Sequence, residues 1–171
     1  MKPSVISLFS GCGGLDLGFI KAGFNVIFAN DIDKEACESY AKNIGKHILC
    51  KDIYKLKDSE VPNADILIGG FPCLGFTIAN GKNRDLNSNY NTLYLEYARI
   101  LKAKQPKYFL VENVAGIQSG EAFKQNFNEK ILPTFEICGY KLKYTILNSS
   151  DFGVPQNRKR VIIIGSKKDI K

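Results

Sequence analysis

The sequence predicts an α/β fold, a doubly wound and mostly parallel sheet with an antiparallel edge. Three observations predict it. Short apolar runs rich in β-branched residues recur along the chain, among them Val5-Ile6-Ser7-Leu8-Phe9, Ile66-Leu67-Ile68 and Tyr108-Phe109-Leu110-Val111; runs of that length bounded by turn residues read as buried strands. Segments of helical spacing separate them, and strands alternating with helices imply a parallel sheet. The last two strands have only a loop with Gly153 and Pro155 between them, so they are expected to pair antiparallel at one edge.

Taken in order, residues 4–10 are the first strand, followed by the turn Gly11-Cys12-Gly13-Gly14. Residues 15–22 read as a helix whose apolar face is Leu15, Leu17, Phe19 and Ile20, stopped by Gly23. A strand over 25–30 leads to a helix over 34–43 with Ala36, Cys37, Tyr40 and Ala41 inward. Short strands follow at 47–50 and 65–69. A helix over 93–104 ends at Gln105-Pro106, and a strand fills 107–114. Residues 122–138 are helical but interrupted by Pro133, and Gly139 closes them. The final strands are 141–148 and 160–166.

At 171 residues the chain is expected to be a single domain over 1–171 with one sizeable core. No apolar run approaches the ~20 residues of a membrane span, and the short N-terminal run gives no sign of a secretion signal. Five cysteines, odd in number and without a C-x-x-C pair, argue against a disulfide framework and a zinc site, and fit a reducing cytoplasm. His47 is the only histidine, so no catalytic metal is expected. The net charge of +7 favours a polyanionic partner.

The stretch Gly69-Gly70-Phe71-Pro72-Cys73-Leu74-Gly75-Phe76-Thr77 follows the strand at 65–69. The paired glycines allow a sharp turn, and Pro72 stiffens what comes next. Cys73 is thereby presented at the carboxyl end of a strand, where open α/β sheets place their ligands and chemistry. It reads as a nucleophile, or else as a buried structural cysteine. The turn at 11–14 joins a strand to a helix, so free backbone N–H groups and the positive end of a helix dipole meet there. A dinucleotide fingerprint would need glycine at 16; the chain has Asp16, which disfavours a pyrophosphate. The charge suits a ligand bearing both an ammonium and a carboxylate, such as the methionine end of S-adenosylmethionine. Asp31, about 20 residues on, stands where an acid takes ribose hydroxyls in this fold. Ile32 can pack against adenine and Asp52 can accept from its amino group. Capping of the next helix by Asp31 and Asp33, and a solvated turn role for Asp52, are the alternatives.

These segments together resemble the C5-cytosine DNA methyltransferases, and the resemblance runs along the whole chain. Phe9-Ser10-Gly11-Cys12-Gly13-Gly14-Leu15-Asp16 is similar to that family's cofactor turn, Asn30-Asp31-Ile32-Asp33 to its acidic ribose segment, and Lys51-Asp52-Ile53 to its adenine-reading turn. Residues 69–77 resemble the Pro-Cys loop, Thr92-Leu93-Tyr94 a cofactor-contacting segment, Glu112-Asn113-Val114 the Glu-Asn-Val motif, and Gln156-Asn157-Arg158-Lys159-Arg160 the Gln-x-Arg-x-Arg motif. Two positions depart from the pattern: Phe71 stands where proline is frequent, and Leu74 where glutamine is frequent.

The resemblance implies a Rossmann-like methyltransferase fold and S-adenosylmethionine as methyl donor, with S-adenosylhomocysteine as product. It implies cofactor contacts at Phe9, Gly11, Gly13, Gly14, Leu15, Asp16, Asp31, Ile32, Asp52, Ile53, Pro72 and Leu93. It implies catalytic roles for Cys73 as nucleophile, Glu112 as the acid at ring nitrogen N3, and Arg158 and Arg160 at the base's O2. Glu112, at the mouth of an apolar strand, is expected to be partly desolvated; an ion-paired or capping acid is the alternative. Arg158 and Arg160 are two apart and share a face on an extended chain. Lys82 and Arg84 are candidates for phosphate contacts. The expected substrate is cytosine in double-stranded DNA, flipped from the stack, in a restriction–modification setting; cytosine in tRNA and a non-catalytic nucleic-acid-binding role are the rivals. The family's target-recognition region has no counterpart in these residues, so either a split enzyme with a second protein chain supplying it, or a truncated product, is expected.

Overall fold

The computed structural model describes residues 2–72, 92–118 and 121–169. They fall into two compact units, Met1–Gly70 with Arg99–Phe109, and Phe71–Ala98 with Leu110–Lys171.

The first unit holds β1 (Ser4–Leu8), α1 (Gly14–Lys21), β2 (Asn25–Asp31), α2 (Lys34–Asn43), β3 (Ile48–Cys50) and β4 (Ile66–Gly69). The strand order is β3-β2-β1-β4, and each pairing is parallel. The chain steps outward from β1 on one side, then returns to its other side. Such a reversal leaves a crevice at the carboxyl ends of the strands, and the glycine turn sits at the end of β1. Val5, Ile6, Leu8, Ala29, Leu67 and Ile68 are all fully buried, as expected of parallel strands covered on both faces.

Helix α2 starts where its N-cap Asp33 accepts from the Ala36 N–H at 2.8 Å, which satisfies an otherwise orphan donor. Cys37 and Tyr40 turn inward as the spacing predicts. Helix α1 differs from its predicted face. Leu17 is 43% and Ile20 38% exposed, while Asp16 is fully buried. Leu17 lies about 100° around the helix from Asp16, so an inward Asp16 turns Leu17 outward.

In the second unit the strand order is β5 (Tyr108–Val114), β7 (Lys159–Ser166), β6 (Lys141–Asn148). The last two pair antiparallel, from Lys141 opposite Ser166 to Asn148 opposite Lys159, as predicted. Helix α3 (Leu93–Lys104) contributes Tyr97, fully buried, whose hydroxyl donates to the Leu110 carbonyl at 3.1 Å. Its ring meets those of Phe71 and Phe135 edge-on, with centroids 6.2 and 5.8 Å apart. Between α4 (Glu121–Asn126) and α5 (Leu132–Ile137) the helix widens into a π turn over Phe127–Ile131. Pro133 explains it: proline has no N–H to donate, and its ring crowds the preceding turn. Among the described residues, short 3-10 turns at Ile53–Lys55, Asp58–Glu60, Ala115–Gln118 and Ser149–Phe152 were not predicted. Among the described residues no helix is long and apolar enough to cross a membrane.

Candidate active site

In the first unit the site is built on backbone geometry. The chain leaves β1 through Phe9, at φ 54°, and Gly11, at φ 53°. The turn closes as the Gly13 N–H donates to the Ser10 carbonyl at 2.9 Å, and Ser10 N–H ties it to the Asn30 carbonyl at 3.0 Å. Gly13 has φ 87°, and a Cβ there would lie 2.4 Å from Ile44 Cδ1 and 2.8 Å from the Tyr40 ring. A side chain there would be strained at this φ and would force Ile44 and Tyr40 to shift. At Gly11 and Gly14, by contrast, a Cβ would meet nothing within 4 Å. The turn therefore packs through Gly13 and leaves open space at Gly11 and Gly14.

Asp31 is brought to this turn. One carboxylate oxygen accepts from the Gly11 N–H at 2.7 Å, the other from the Asp33 N–H at 2.9 Å. Each oxygen keeps acceptor capacity for a hydroxyl. Asp31 is thus a brace rather than a helix cap; that role falls to Asp33 alone. Ile32 beside it is 68% exposed. Asp52 caps the turn after β3, accepting from the Tyr54 N–H at 3.0 Å. Asn30, which sequence reasoning did not single out, is buried and donates to the carbonyls of Leu49 and Lys51 at 2.9 and 2.8 Å. It fixes the end of β3 beside Asp31. Arg99 was missed as well. Its guanidinium pairs with Asp58 and donates to the carbonyls of Ile53 and Leu56 at 3.1 and 3.0 Å, holding the turn after Asp52. Nothing local in the sequence signals either pairing.

Three expected cofactor residues turn inward. Ile53 and Leu93 are 5% and 8% exposed, so their side chains are core. Asp16 is the sharper correction. It accepts from Ser7 Oγ and Tyr40 OH, both at 2.8 Å, with no exposure at all, so its side chain is not offered to a ligand's ammonium. Burial raises its pKa, against the lowering effect of the two hydroxyls. Tyr40 OH also meets His47 Nε2 at 3.0 Å. A buried tyrosine needs a partner for its hydroxyl, and that rule was the available signal for this network. Leu15 and Phe9 are half-buried, and Pro72 is exposed.

The residues present fit S-adenosylmethionine. The open turn at a helix N-terminus suits the amino-acid end, the Asp31 carboxylate a ribose, and the uncovered Ile32 an adenine face.

In the second unit the site is built on side chains. Glu112, near the end of β5, pairs with Arg160 at the start of β7: Arg160 Nε to Glu112 Oε1 is 2.8 Å, and the Glu112 side chain is 33% exposed. Glu112 is partly desolvated, as expected, and is ion-paired as well. Arg160 Nη1 also donates to the Lys159 carbonyl at 2.8 Å. Arg158 precedes β7 and is exposed; its carbonyl accepts from the Ser149 N–H at 3.0 Å. Asn113 is buried. Its Nδ2 donates to the Phe71 carbonyl at 3.1 Å, and its Oδ1 accepts from the Val114 N–H at 2.8 Å. Phe71 itself is 2% exposed. The chain entering Pro72 is therefore anchored by both a ring and a backbone carbonyl. Cys73, Lys82 and Arg84 lie outside the described residues.

The family model for C-5 cytosine-specific DNA methylases matches residues 3–171. Two curated relatives are the type II methyltransferases M.NgoFVII of Neisseria gonorrhoeae, 44% identical over 98% of this chain and 45% of its own, and M.FnuDI of Fusobacterium nucleatum, 45% identical over 97% and 47%. The chain spans about half the length of the curated relatives it matches. Among solved structures, a putative DNA modification methyltransferase encoded within a prophage (E. coli) superposes with a TM-score of 0.82 at 32% identity, covering 99% of this chain and 49% of that one. The Entamoeba histolytica methyltransferase EhMeth gives 0.80 at 24% identity, over all of this chain and 55% of its own, a likeness of fold alone.

Proposed function

Because the chain belongs to the C-5 cytosine-specific DNA methylases, we propose that it transfers a methyl group from S-adenosylmethionine to carbon 5 of cytosine in DNA, through a covalent adduct on Cys73. The observation that carries this reading is the Glu112–Arg160 ion pair at 2.8 Å. It joins two segments far apart in sequence, each of which resembles a catalytic motif.

Carbon 5 of cytosine is a poor nucleophile. The Cys73 thiolate adds to carbon 6, forming a C–S bond and moving the electron pair of the ring double bond toward carbon 5. Glu112 hydrogen-bonds or protonates N3, which accepts the density that addition pushes into the ring. Arg160 orients Glu112; it and Arg158 supply positive charge at O2 and beside the thiolate, which lowers a thiol's pKa. Asn113 fixes the entrance to the loop through the Phe71 carbonyl. S-adenosylmethionine, when bound, supplies an electrophilic methyl group. Once carbon 5 is methylated, a base removes its proton, the C–S bond breaks and Cys73 leaves as thiolate. Gly11, Gly14, Asp31, Ile32 and Asp52 hold the cofactor in this reading, with S-adenosylhomocysteine as product. Residues 1–171 then act as one catalytic domain.

Target recognition falls to polypeptide beyond these residues, on this chain or on a second protein chain, in keeping with the longer relatives. A cytoplasmic location and a restriction–modification setting belong to the same proposal.

A duplex carrying 5-fluorocytosine tests it, because fluorine blocks the final proton loss and leaves the adduct trapped. In the presence of the recognition region and S-adenosylmethionine, the parent chain should give a denaturation-resistant adduct and Cys73→Ser none. Absence of the adduct with the parent would overturn the proposal, and trapping on RNA instead of DNA would redirect it to tRNA.

A further inference from the structure

We propose that Cys37 and Cys50 are a modification site for a low-molecular-weight disulfide, and that closing the bond between them weakens cofactor binding at Asp31 and Ile32. Neither thiol takes part in the methyl transfer. Cys37, on α2, is 5% exposed, and its Sγ–H donates to the Asp31 carbonyl at 3.6 Å. Cys50 ends β3 on the surface, opposite Asp31 in the strand register, and its Sγ–H donates to the Ile32 carbonyl at 3.8 Å. The Asp31 carbonyl that takes the Cys37 thiol also takes the Lys51 N–H at 2.9 Å, which brings the chain beside Cys50 to the same acceptor. The pair therefore straddles the two peptide units that carry the ribose acceptor and the exposed Ile32.

The chemistry is exchange. The exposed Cys50, as thiolate, attacks a disulfide such as oxidised glutathione, forming a mixed disulfide and releasing one glutathione thiolate. Cys37 then attacks the Cys50 sulfur; its proton goes to the second glutathione leaving as thiol, and a Cys37–Cys50 bond remains. One external disulfide is reduced and two protein thiols are oxidised. Burial first, and the Cys50 sulfur second, push the Cys37 thiol up to about 12, so it is the slower partner. Once Cys50 is capped, the second of these influences is gone. Closure on a timescale of about minutes to hours is in keeping with uncatalysed exchange.

The bond costs the segment two S–H donors and draws the sulfurs to about 2.05 Å. Asp31 is braced by Gly11 and Asp33 through its carboxylate, so a shift of its main chain moves the acceptor itself. This consequence rests on the cofactor assignment under Proposed function; the crosslink does not.

The full chain, treated with oxidised glutathione and digested with trypsin without reduction, should yield peptides 35–42 and 47–51 joined with loss of two hydrogens. Calorimetric affinity for S-adenosylhomocysteine should fall about fivefold and return with dithiothreitol. Cys37→Ser should stop at a glutathione adduct on Cys50. Modification of Cys50 in the parent without a bond to Cys37 overturns the site. A crosslink with unchanged affinity overturns its effect on the cofactor. If the untreated chain binds no S-adenosylhomocysteine, the cofactor reading fails, and the joined peptides alone decide the crosslink.

Discussion

The glycine turn and the Glu112–Arg160 pair reach order by different means. At the turn, backbone does the holding: Gly13 closes on Ser10, and Gly11 is braced by the Asp31 carboxylate. At the end of β5, two long side chains do it, with Arg160 on Glu112. The backbone device tolerates a side chain poorly where it packs, at Gly13 against Tyr40 and Ile44. A side-chain device tolerates change in stability, yet its geometry, and so its chemistry, depends on each partner. The comparison predicts that a side chain at Gly13 damages the fold, while substitutions at the Glu112–Arg160 pair damage activity more than stability.

Gly13→Ala should have the largest effect. Left-handed backbone costs a side chain about 1–2 kcal/mol, and overpacking against Ile44 and Tyr40 adds about 1–3 kcal/mol. Urea denaturation should show a loss of roughly 2–5 kcal/mol; a loss below that range breaks the comparison. Gly14→Ala is its control, since space there is open. It should keep the fold and lower affinity for S-adenosylhomocysteine in calorimetry.

Asn113→Ala should follow, at about 1–3 kcal/mol, because it removes a buried side chain that bonds both the Phe71 carbonyl and the Val114 N–H. Denaturation midpoint and rate of adduct trapping should fall together. Arg160→Ala should cost no more than about 1 kcal/mol, the range for partly exposed ion pairs, while trapping slows about tenfold or more. Equal losses in both readouts would erase the distinction between the two regions.

The smallest effect is in pH. The folded pKa of Asp16 is raised above its ordinary 3.8 by burial, so the folded state holds this proton over a window in which the unfolded chain has released it. Its contribution to stability is therefore present below that window and lost as pH rises through it. Asp16→Asn should remove that slope, so urea stabilities of parent and variant should diverge between low pH and neutrality. Parallel curves would show that the buried carboxyl titrates as if exposed.

Much of the architecture was legible because it follows from local pattern. The strand–turn–helix at 4–22, the cap at Asp33 and the break at Pro133 each rest on residues a few positions apart, and the structure has them within a residue or two. Asp16 was misread for the opposite reason. Its charge reads as one offered to a ligand, but its partners Ser7 and Tyr40 lie nine and 24 residues away. The Glu112–Arg160 pairing and the hold of Arg99 on Ile53 and Leu56 have the same character. Motif order indicated which residues to watch; only tertiary contact showed which of them touch.

The missing side chain at Gly13 also constrains how such proteins recombine. The ring of Tyr40 and the tip of Ile44 occupy the volume it leaves, so the three positions form one inheritable block. A chimera whose junction falls between 13 and 44 would join a turn from one parent to a helix shaped for another's. A crossover beyond Ile44 would transmit the block intact.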